Sequence, residues 1–456
     1  MTDRATGTHS GVRRLKLAVA SAFLLSGLGM SSWVTETPVI RDLIGATTAQ
    51  MGIVLFGVSL GSMAGILASG ALVARWGARP IIVSGTAGIA ASLGIIACGT
   101  ALGSAAVVMA GLAVFGLGMG CAEVAMNVEG AEVETLTGRP FLSLVHGSYS
   151  LGTLVGSGLG IVAVSSGIMP LVHLPVIGAL IAIALLRAAR ELPPATGRTR
   201  PTAPVTTAEA AEAAVTAGPE DGGPPPPARV AASAPAATSP TAVGTDATAA
   251  RHGLRSVVGP RLLLIALITL AMALAEGTAN DWLPLVMVDG HGLDPRAGSA
   301  MFAVFAAAMT VGRFLGNPVV ARFGRARVLA VSAGFGVLGL GLVSFVEHLP
   351  LAIAAVVLWG LGTSLGFPVA ISAAGSSGPG AASRIAVASM IGYLALLAGP
   401  PVLGFAGEHW GLRAALLIPL AVMVLAIPAA RAARPVDQGA RREVVSTSRA
   451  GRRRSG

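Results

Sequence analysis

Acidic side chains inside long apolar segments are the residues of this chain best suited to chemistry. Glu123 and Asn127 are four residues apart in one apolar segment, and Glu276 and Asn280 are four apart in another. This spacing places each pair on one face of a helix. A carboxylate in an apolar environment is costly unless it is paired, hydrated or protonated. We therefore predict that Glu123 and Glu276 couple protons and that both asparagines line a cavity. The alternatives are that Glu123 reaches to the membrane interface and that Glu276 is structural.

Several further polar and aromatic residues lie within or at the ends of apolar segments. Glu36, at the end of the first segment, is a third proton-coupling candidate. Arg313 is the only basic residue deep in an apolar segment, so it needs an internal partner, and a structural or gating role is expected. The remaining cavity candidates are Trp33, Trp282, Asp281 and His146.

Each of these four candidates has a second interpretation. Trp33 and Trp282 fall where an aromatic belt at the outer membrane surface is expected. Asp281 is expected to lie nearer water than Glu276. His146 is either a proton relay, because histidine titrates near neutral pH, or an interfacial histidine.

Twelve apolar segments hold these residues, six on either side of a Pro/Ala/Thr-rich interruption. Each is near the roughly 20 residues that cross a bilayer as a helix. The predicted spans are 16–37, 49–73, 80–101, 104–126, 141–165, 168–188, 260–281, 297–320, 327–346, 350–373, 384–406 and 411–431. The predicted fold class is therefore an all-α integral membrane protein of about 12 transmembrane helices in two pseudo-symmetric six-helix bundles.

Composition supports a membrane protein and excludes other classes. Hydrophobic residues make up 54% of the chain and charged residues 11%, against about 25% charged in a soluble domain. The net charge of +10 comes from arginines between the apolar segments and in the tails, so no nucleic-acid partner is expected. Motifs for an enzyme, a metal site or a cofactor are not found, and neither an enzymatic activity nor a cofactor is expected.

The basic residues also predict the orientation and the domain boundaries. If both termini are cytoplasmic, 27 of the 31 Lys and Arg residues fall on the cytoplasmic side and three outside, as the positive-inside rule requires. The predicted location is the inner or plasma membrane. The predicted domains are an N-terminal six-helix bundle at 1–190, a disordered cytoplasmic linker at 191–256, a C-terminal six-helix bundle at 257–433 and a basic tail at 434–456.

An internal repeat relates the two halves. The segment Val73-Ala-Arg-Trp-Gly77 follows the second span, and Val320-Ala-Arg-Phe-Gly324 follows the eighth. Repeated halves are typical of transporters that expose a central site alternately to each side. Runs of glycine at four-residue spacing predict close helix packing. They are Gly57, Gly61 and Gly65, and Gly152, Gly156 and Gly160.

These repeated loops resemble the loop motif of the major facilitator superfamily, in which a Gly precedes an acidic residue, a basic residue, a second Gly and further basic residues. The resemblance covers nearly the whole chain apart from the linker and tails, and implies the major facilitator fold. Ala74 and Ala321 stand where the family usually has Asp, so its usual cytoplasmic charge network is not expected here. The residues that match, and are predicted to be structural or gating, are Gly70, Arg75, Gly77 and Arg79, and more loosely Arg322 and Gly324.

The segment Gly116-Leu-Gly-Met-Gly-Cys-Ala-Glu-Val-Ala-Met-Asn127 is similar to the fourth-helix signature of fucose-permease-like sugar/proton symporters. The resemblance implies that Glu123 takes part in proton coupling and that Asn127 lies close to a sugar. Val128 stands where that family often has Pro.

Three functions remain open at this stage. The first is secondary transport of a small, sugar-like solute coupled to protons by a protein that acts as a monomer. The second is proton-driven efflux of drugs or metabolites. The third is a membrane sensor or scaffold that does not transport and holds a cytoplasmic partner through the linker and tail. The expected partners are therefore a small solute, protons and the lipid bilayer.

Overall fold

The described part of the chain forms twelve apolar helical spans, each long enough to cross a membrane. The structure is a computed structural model, and it describes residues 2–138, 141–198, 258–378 and 380–434. The predicted all-helical fold class is confirmed. Most of the predicted linker and tail, residues 199–257 and 435–456, lies outside the described residues, so the prediction of disorder stays a prediction.

The described residues of the first half form six helices. They are α1 (Thr2–Ile44), α2 (Thr48–Trp76), α3 (Ala78–Ala101), α4 (Ala105–Thr137), α5 (Leu142–Ser165) and α6 (Pro170–Ala188), followed by a 3-10 turn at Ala189–Glu191.

The second half forms the other six spans from eight helices. They are α7 (Pro260–Leu285) with a π turn at Val286–Gly290, α8 (Pro295–Phe323), α9 (Arg325–Phe345), α10 (Leu349–Ser364), α11 (Gly366–Gly375), α12 (Ala381–Trp410), α13 (Leu412–Ala415) and α14 (Leu417–Ala429), which a 3-10 turn at Ala430–Ala433 follows. Helices α10 and α11 form the tenth span, and α13 and α14 the twelfth.

The two halves pack as equivalent six-helix bundles. In the first, α4 packs against α2 and α3, and α1 packs against α5. In the second, α10 packs against α8 and α9, and α7 packs against α12. Because twelve spans alternate in direction, the first span begins and the last span ends on one side, here called the terminus face. The other side is called the opposite face.

The repeated sequence after α2 and α8 folds into the same turn at the terminus face. Gly77 and Gly324 end their helices with φ of +88° and +76°, a region that favours glycine. Their N–H groups donate to Val73 O and Val320 O. The arginine two residues earlier lies over the adjacent aromatic ring in both turns. The internal repeat is thus a structural repeat.

The glycine runs allow the close packing that their spacing predicts. A Cβ on Gly61 would collide with the carbonyl oxygen of Ala113 in α4, and one on Gly152 would collide with that of Leu24 in α1. Because no side chain separates the backbones, α2 approaches α4, and α5 approaches α1, to direct contact.

Polar contacts join the two bundles near the opposite face. Arg41 of α1 forms an ion pair with Asp289 in the π turn after α7. The Glu408 carboxylate of α12 accepts a hydrogen bond from the Ala49 N–H of α2 at 3.1 Å. Ser299 of α8 donates to the Thr35 carbonyl of α1 at 2.6 Å. These contacts hold the bundles together on that side.

Several predicted boundaries need correction. Helix α1 spans Thr2–Ile44 rather than 16–37, and α7 with its π turn continues beyond 281 to Gly290. Helix α4 continues to Thr137, eleven residues beyond the predicted end at 126. The prediction missed this part because it relied on apolar length, and the last residues of α4 are largely polar. The predicted start of a disordered linker at 191 is also too early. Residues up to 198 are described, and Thr196 O accepts a hydrogen bond from Ala78 N–H at 2.8 Å.

Candidate functional site

Glu123 lies on α4, well before the end of that helix. At 1.5 Å per residue it stands about 21 Å from Thr137, the last residue of α4. The predicted role in proton coupling and the alternative that its side chain reaches to the interface both stay predictions. Glu123 is half-buried, and no hydrogen bond to its carboxylate is found within the described residues.

Glu276 lies on α7 and forms an ion pair with Arg313 of α8. Its Oε1 accepts a hydrogen bond from Arg313 Nη2 at 2.8 Å, and both side chains are 21% exposed. The neighbouring Ala275 carbonyl accepts a hydrogen bond from the buried indole of Trp359 at 3.1 Å, which fixes this turn of α7 against α10. The partner that the sequence required for Arg313 is thus Glu276.

Arg313 also reaches the other bundle. Its Nη1 donates to the Ser150 hydroxyl of α5 at 3.2 Å, and Thr310, one turn earlier on α8, donates to the Ser150 carbonyl at 3.4 Å. The ring of Phe314 covers Gly147 of α5, where a Cβ would lie 2.8 Å from it. One guanidinium therefore links a carboxylate of the C-terminal bundle to a hydroxyl of the N-terminal bundle.

Ionisable and hydroxyl groups from both bundles meet around Arg313. Glu123 interacts electrostatically with Arg313 and Glu276, although it lies on α4 of the other bundle. Tyr149 interacts with all three of these charged groups, and Tyr393 of α12 interacts with Glu123. We call this set the central cluster; its members are Glu123, His146, Tyr149, Ser150, Glu276, Arg313 and Tyr393.

The central cluster has two carboxylates and one guanidinium. Arg313 is hydrogen-bonded to Glu276, which leaves Glu123 without a hydrogen-bonded cation. A like charge nearby disfavours the ionised form of a carboxylate, and an opposite charge favours it. The two carboxylates therefore differ in their surroundings, since only Glu276 has a hydrogen-bonded cation among the described residues.

The predicted cavity residues have different surroundings. His146 belongs to the central cluster through its interaction with Arg313, and its ring packs edge-on against Phe23 at 5.1 Å. Asn127 and Asn280 are half-buried and lie one helical turn from Glu123 and Glu276. Their contact with a solute stays a prediction.

Glu36 is fully buried and belongs to a separate pair. Its Oε1 accepts a hydrogen bond from Nδ1 of His173 in α6 at 2.8 Å, and His173 is 7% exposed. The second carboxylate oxygen and His173 Nε2 have no hydrogen-bond partner among the described residues. The pair links α1 to α6 within the N-terminal bundle. The predicted role of Glu36 in proton coupling stays a prediction.

Two expectations about solvent exposure are wrong. Asp281 does not lie near water but is 7% exposed, because α7 and its π turn continue to Gly290. Trp33 and Trp282 do not form an exposed aromatic belt, since each is 1% exposed and packs in the hydrophobic core. Neither indole N–H has a hydrogen-bond partner in the described part of the chain. Their predicted place in a solute cavity stays a prediction.

The predicted structural or gating residues, apart from Arg313, lie at the terminus face. Arg75, Arg322 and Gly324 are exposed, Gly77 is buried, and Gly70 and Arg79 are half-buried. They surround the two repeated turns and are remote from the central cluster. Their structural or gating role in the movement of the bundles stays a prediction.

Sequence reasoning did not select several residues that the structure brings into the site. Ser150, Tyr149 and Tyr393 belong to the central cluster, and His173 is the partner of Glu36. A polar residue in an apolar span is a usable signal, and the two tyrosines are the only ones in the chain. Among the residues that the structure describes, no group of three potential metal ligands occurs.

Comparison with known proteins agrees with this architecture. The family profile of the Major Facilitator Superfamily matches residues 17–379 and 265–454. An uncharacterized MFS-type transporter of Yersinia pestis is 29% identical over 391 residues, covering 85% of this chain and 87% of its own.

Two solved structures share the fold at low sequence identity. A point mutant of the nucleoside transporter NupG has a TM-score of 0.65 at 14% identity and covers 92% of this chain and 99% of its own. A D-xylose–proton symporter has a TM-score of 0.65 at 13% identity and covers 92% and 97%. Since the profile matches most of the chain, the protein belongs to the Major Facilitator Superfamily, a family of multi-pass membrane transporters of solutes rather than enzymes.

Proposed function

We propose that the protein couples the movement of a small polar solute to the movement of protons by alternating access. The observation that carries this proposal is the meeting of Glu123 and Glu276 with a single arginine, Arg313, between the two bundles. Proton coupling needs a group that gains a proton in one conformation and loses it in another. Two carboxylates that compete for one guanidinium meet this need.

The proposed coupling step is a change of partner by Arg313. In the present arrangement Arg313 binds Glu276, and Glu123 holds the proton that neutralises it. When Glu123 loses that proton, its negative charge attracts Arg313 away from Glu276, which then takes up a proton in turn. Because Glu123 belongs to one bundle and Glu276 and Arg313 to the other, this exchange changes the force between the bundles. Protonation and bundle movement are thereby linked.

The solute proposed is sugar-like. Asn127 and Asn280 offer amide donors and acceptors one turn from the two carboxylates, and Tyr149 and Tyr393 offer hydroxyl groups. Amides and hydroxyls match the hydroxyl groups of a sugar. The resemblance of the fourth span to fucose-permease-like symporters supports the same class. Two transporters that share the fold are named for polar solutes, nucleosides and D-xylose.

A second candidate is efflux of a cationic compound in exchange for protons. The charge of the central cluster favours it, since two carboxylates and one guanidinium leave a net negative site when both acids are ionised. A cation would then compete with a proton for Glu123. The two candidates predict opposite directions of solute-linked proton movement.

We place the terminus face in the cytoplasm of a cell with a plasma or inner membrane. The described arginines Arg75, Arg79, Arg322, Arg325 and Arg327 lie around the two repeated turns of that face, in agreement with the positive-inside rule. The contacts of Arg41 and Ser299 between the bundles then lie on the extracellular side, and the protein acts as a monomer.

Internal pH in proteoliposomes tests the proposal. The purified protein is reconstituted with a pH-sensitive dye inside, and sugars, nucleosides and cationic drugs are added outside one at a time. Acidification on adding a polar solute supports symport. Alkalinisation of acid-loaded vesicles by a cationic drug supports the second candidate. A solute that accumulates in labelled form without any pH change would contradict proton coupling.

A further inference from the structure

A groove lined by both charged and apolar residues lies between α1 and α6. It lies at the terminus face, has a volume of about 410 Å³, and is separate from the central cluster. This volume lies within the range of about 300–1,000 Å³ that is typical of small-molecule sites. Its lining residues on α1 recur at three- and four-residue spacing, which shows that one face of this helix forms the wall of the groove.

The charged residues of the groove lie at one end and the apolar residues at the other. Arg14, Arg187 and Glu191 stand at its rim on the terminus face, whereas Leu24 and Leu25 of α1 lie deeper. Leu24 is about 15 Å further along α1 than Arg14. This gradient follows the axis of the membrane-spanning helices. A phospholipid has the same gradient, from a phosphate at the interface to acyl chains in the bilayer core.

The rim is positively charged overall. Arg14 and Arg187 are both exposed, and Arg14 interacts with Glu191 only at 3.8 Å, with side chains 60% and 41% exposed. A long, solvated ion pair of this kind is weak. Both guanidinium groups are thus available to a stronger anionic partner, and arginine binds phosphate in a bidentate manner.

We propose that this groove, formed by Arg14 and Arg187 above Leu24 and Leu25, binds an anionic phospholipid. The headgroup phosphate contacts the two arginines, and one acyl chain lies along the leucines. Charge complementarity is the argument for this occupant, because basic pockets between spans at the interface select anionic headgroups. The bound lipid would fill the gap between α1 and α6 at the terminus face.

Native mass spectrometry of the full chain tests this site. The purified protein is incubated with phosphatidylglycerol or phosphatidylcholine that carry identical acyl chains, and retained lipid is counted. The test variant is Arg14→Gln with Arg187→Gln. Its matched control is Arg13→Gln with Arg190→Gln, which removes two exposed arginines from the same region outside the groove.

The expected result is that the wild-type protein and the control retain phosphatidylglycerol at least tenfold better than phosphatidylcholine, and that the test variant loses this preference. Glu191→Gln is expected to raise retention several-fold, because it removes the negative charge from the rim. Ser21→Phe, which fills the apolar part without changing charge, is expected to lower retention of both lipids.

Equal loss in the test and control variants would overturn the proposal, because it would show that only net charge matters. Retention of phosphatidylglycerol by Ser21→Phe at the wild-type level would also overturn it. If inorganic phosphate displaces the lipid fully, the acyl groove plays no part and the proposal fails. None of these results bears on solute transport, so this inference and the proposed function are tested separately.

Discussion

The carboxylate of Glu276 and the guanidinium of Arg313 form an ion pair at 2.8 Å that joins α7 to α8 in the middle of the membrane-spanning region. The same guanidinium donates to Ser150 in the other bundle. A single guanidinium thus contacts a carboxylate of one bundle and a hydroxyl group of the other. The proposed coupling of protons to bundle movement rests on this arrangement.

Removing one member of this ion pair is expected to be more harmful than removing both. Glu276→Gln leaves Arg313 without its hydrogen-bonded carboxylate, at an expected cost of about 1.5–3 kcal/mol, the range for hydrogen bonds to charged groups. In Glu276→Gln with Arg313→Gln no unpaired charge remains in the pair, so part of the loss is recovered. Thermal unfolding in detergent is measured for the single variants Glu276→Gln and Arg313→Gln and for the double variant. Strictly additive losses would contradict a direct interaction.

The opposite face is expected to open when the Arg41 ion pair is broken. Arg41→Gln removes the contact to Asp289 in the π turn after α7, which shifts the population toward a conformation open on that side. The shift is measured as the distance between two spin labels, one on α1 and one on α7, each placed at the end of its helix that lies at the opposite face. The charge-exchanged variant, Arg41→Asp with Asp289→Arg, should restore the wild-type distances. No recovery would mean that the effect of Arg41 comes from its contact with Asp42 or from packing.

The buried pair of Glu36 and His173 is expected to stabilise the N-terminal bundle. His173→Leu leaves a fully buried carboxylate without its partner. Breaking a buried pair in this way lowers the free energy of unfolding by about 3–5 kcal/mol. Glu36→Gln with His173→Leu should be more stable than His173→Leu alone. Melting temperatures compare the variants.

Transport by Glu36→Gln distinguishes a structural from a coupling role. The described contacts connect Glu36 to α6 and not to the central cluster, so a purely structural role predicts that this variant keeps solute-linked proton movement. Loss of proton movement with solute exchange intact would instead make Glu36 part of the coupling pathway.

Two glycines of α5 are expected to differ sharply in their tolerance of alanine. A Cβ at Gly152 collides with the Leu24 carbonyl of α1, whereas a Cβ at Gly158 meets no atom within 4 Å. Gly152→Ala should destabilise the protein by about 1–3 kcal/mol through overpacking. Gly158→Ala should be neutral or slightly stabilising, because alanine is the better helix former. Similar melting temperatures for the two variants would contradict direct contact between α5 and α1.

The spans were predictable from sequence because apolar length is a local property. The ends of the spans were not predictable where a helix continues with polar residues. Helix α4 carries Glu129, Glu132 and Glu134 beyond the predicted end, because loss of apolar character does not by itself end a helix. Asp281 stands at the predicted end of the seventh span but is only 7% exposed, since α7 and its π turn continue to Gly290.

The partners of the buried charges were not predictable. Arg313 and Glu276 lie on different helices, and the sequence shows only that Arg313 must have some partner. His173 escaped notice because a histidine in an apolar span gives no indication of which carboxylate it faces. Such pairs depend on the rotation of each helix about its axis. Close packing at the glycine-lined faces determines this rotation.

The most direct test compares proton-driven accumulation with solute exchange in Glu123→Gln, using the solute that the internal-pH assay identifies. The matched control is Glu129→Gln, which alters another buried carboxylate of α4 that lies outside the central cluster. We expect Glu123→Gln to exchange solute across the membrane at rates near wild type but to lose accumulation driven by a pH gradient, whereas Glu129→Gln keeps both. Accumulation by Glu123→Gln at the wild-type level would contradict the assignment of Glu123 as the proton-binding residue.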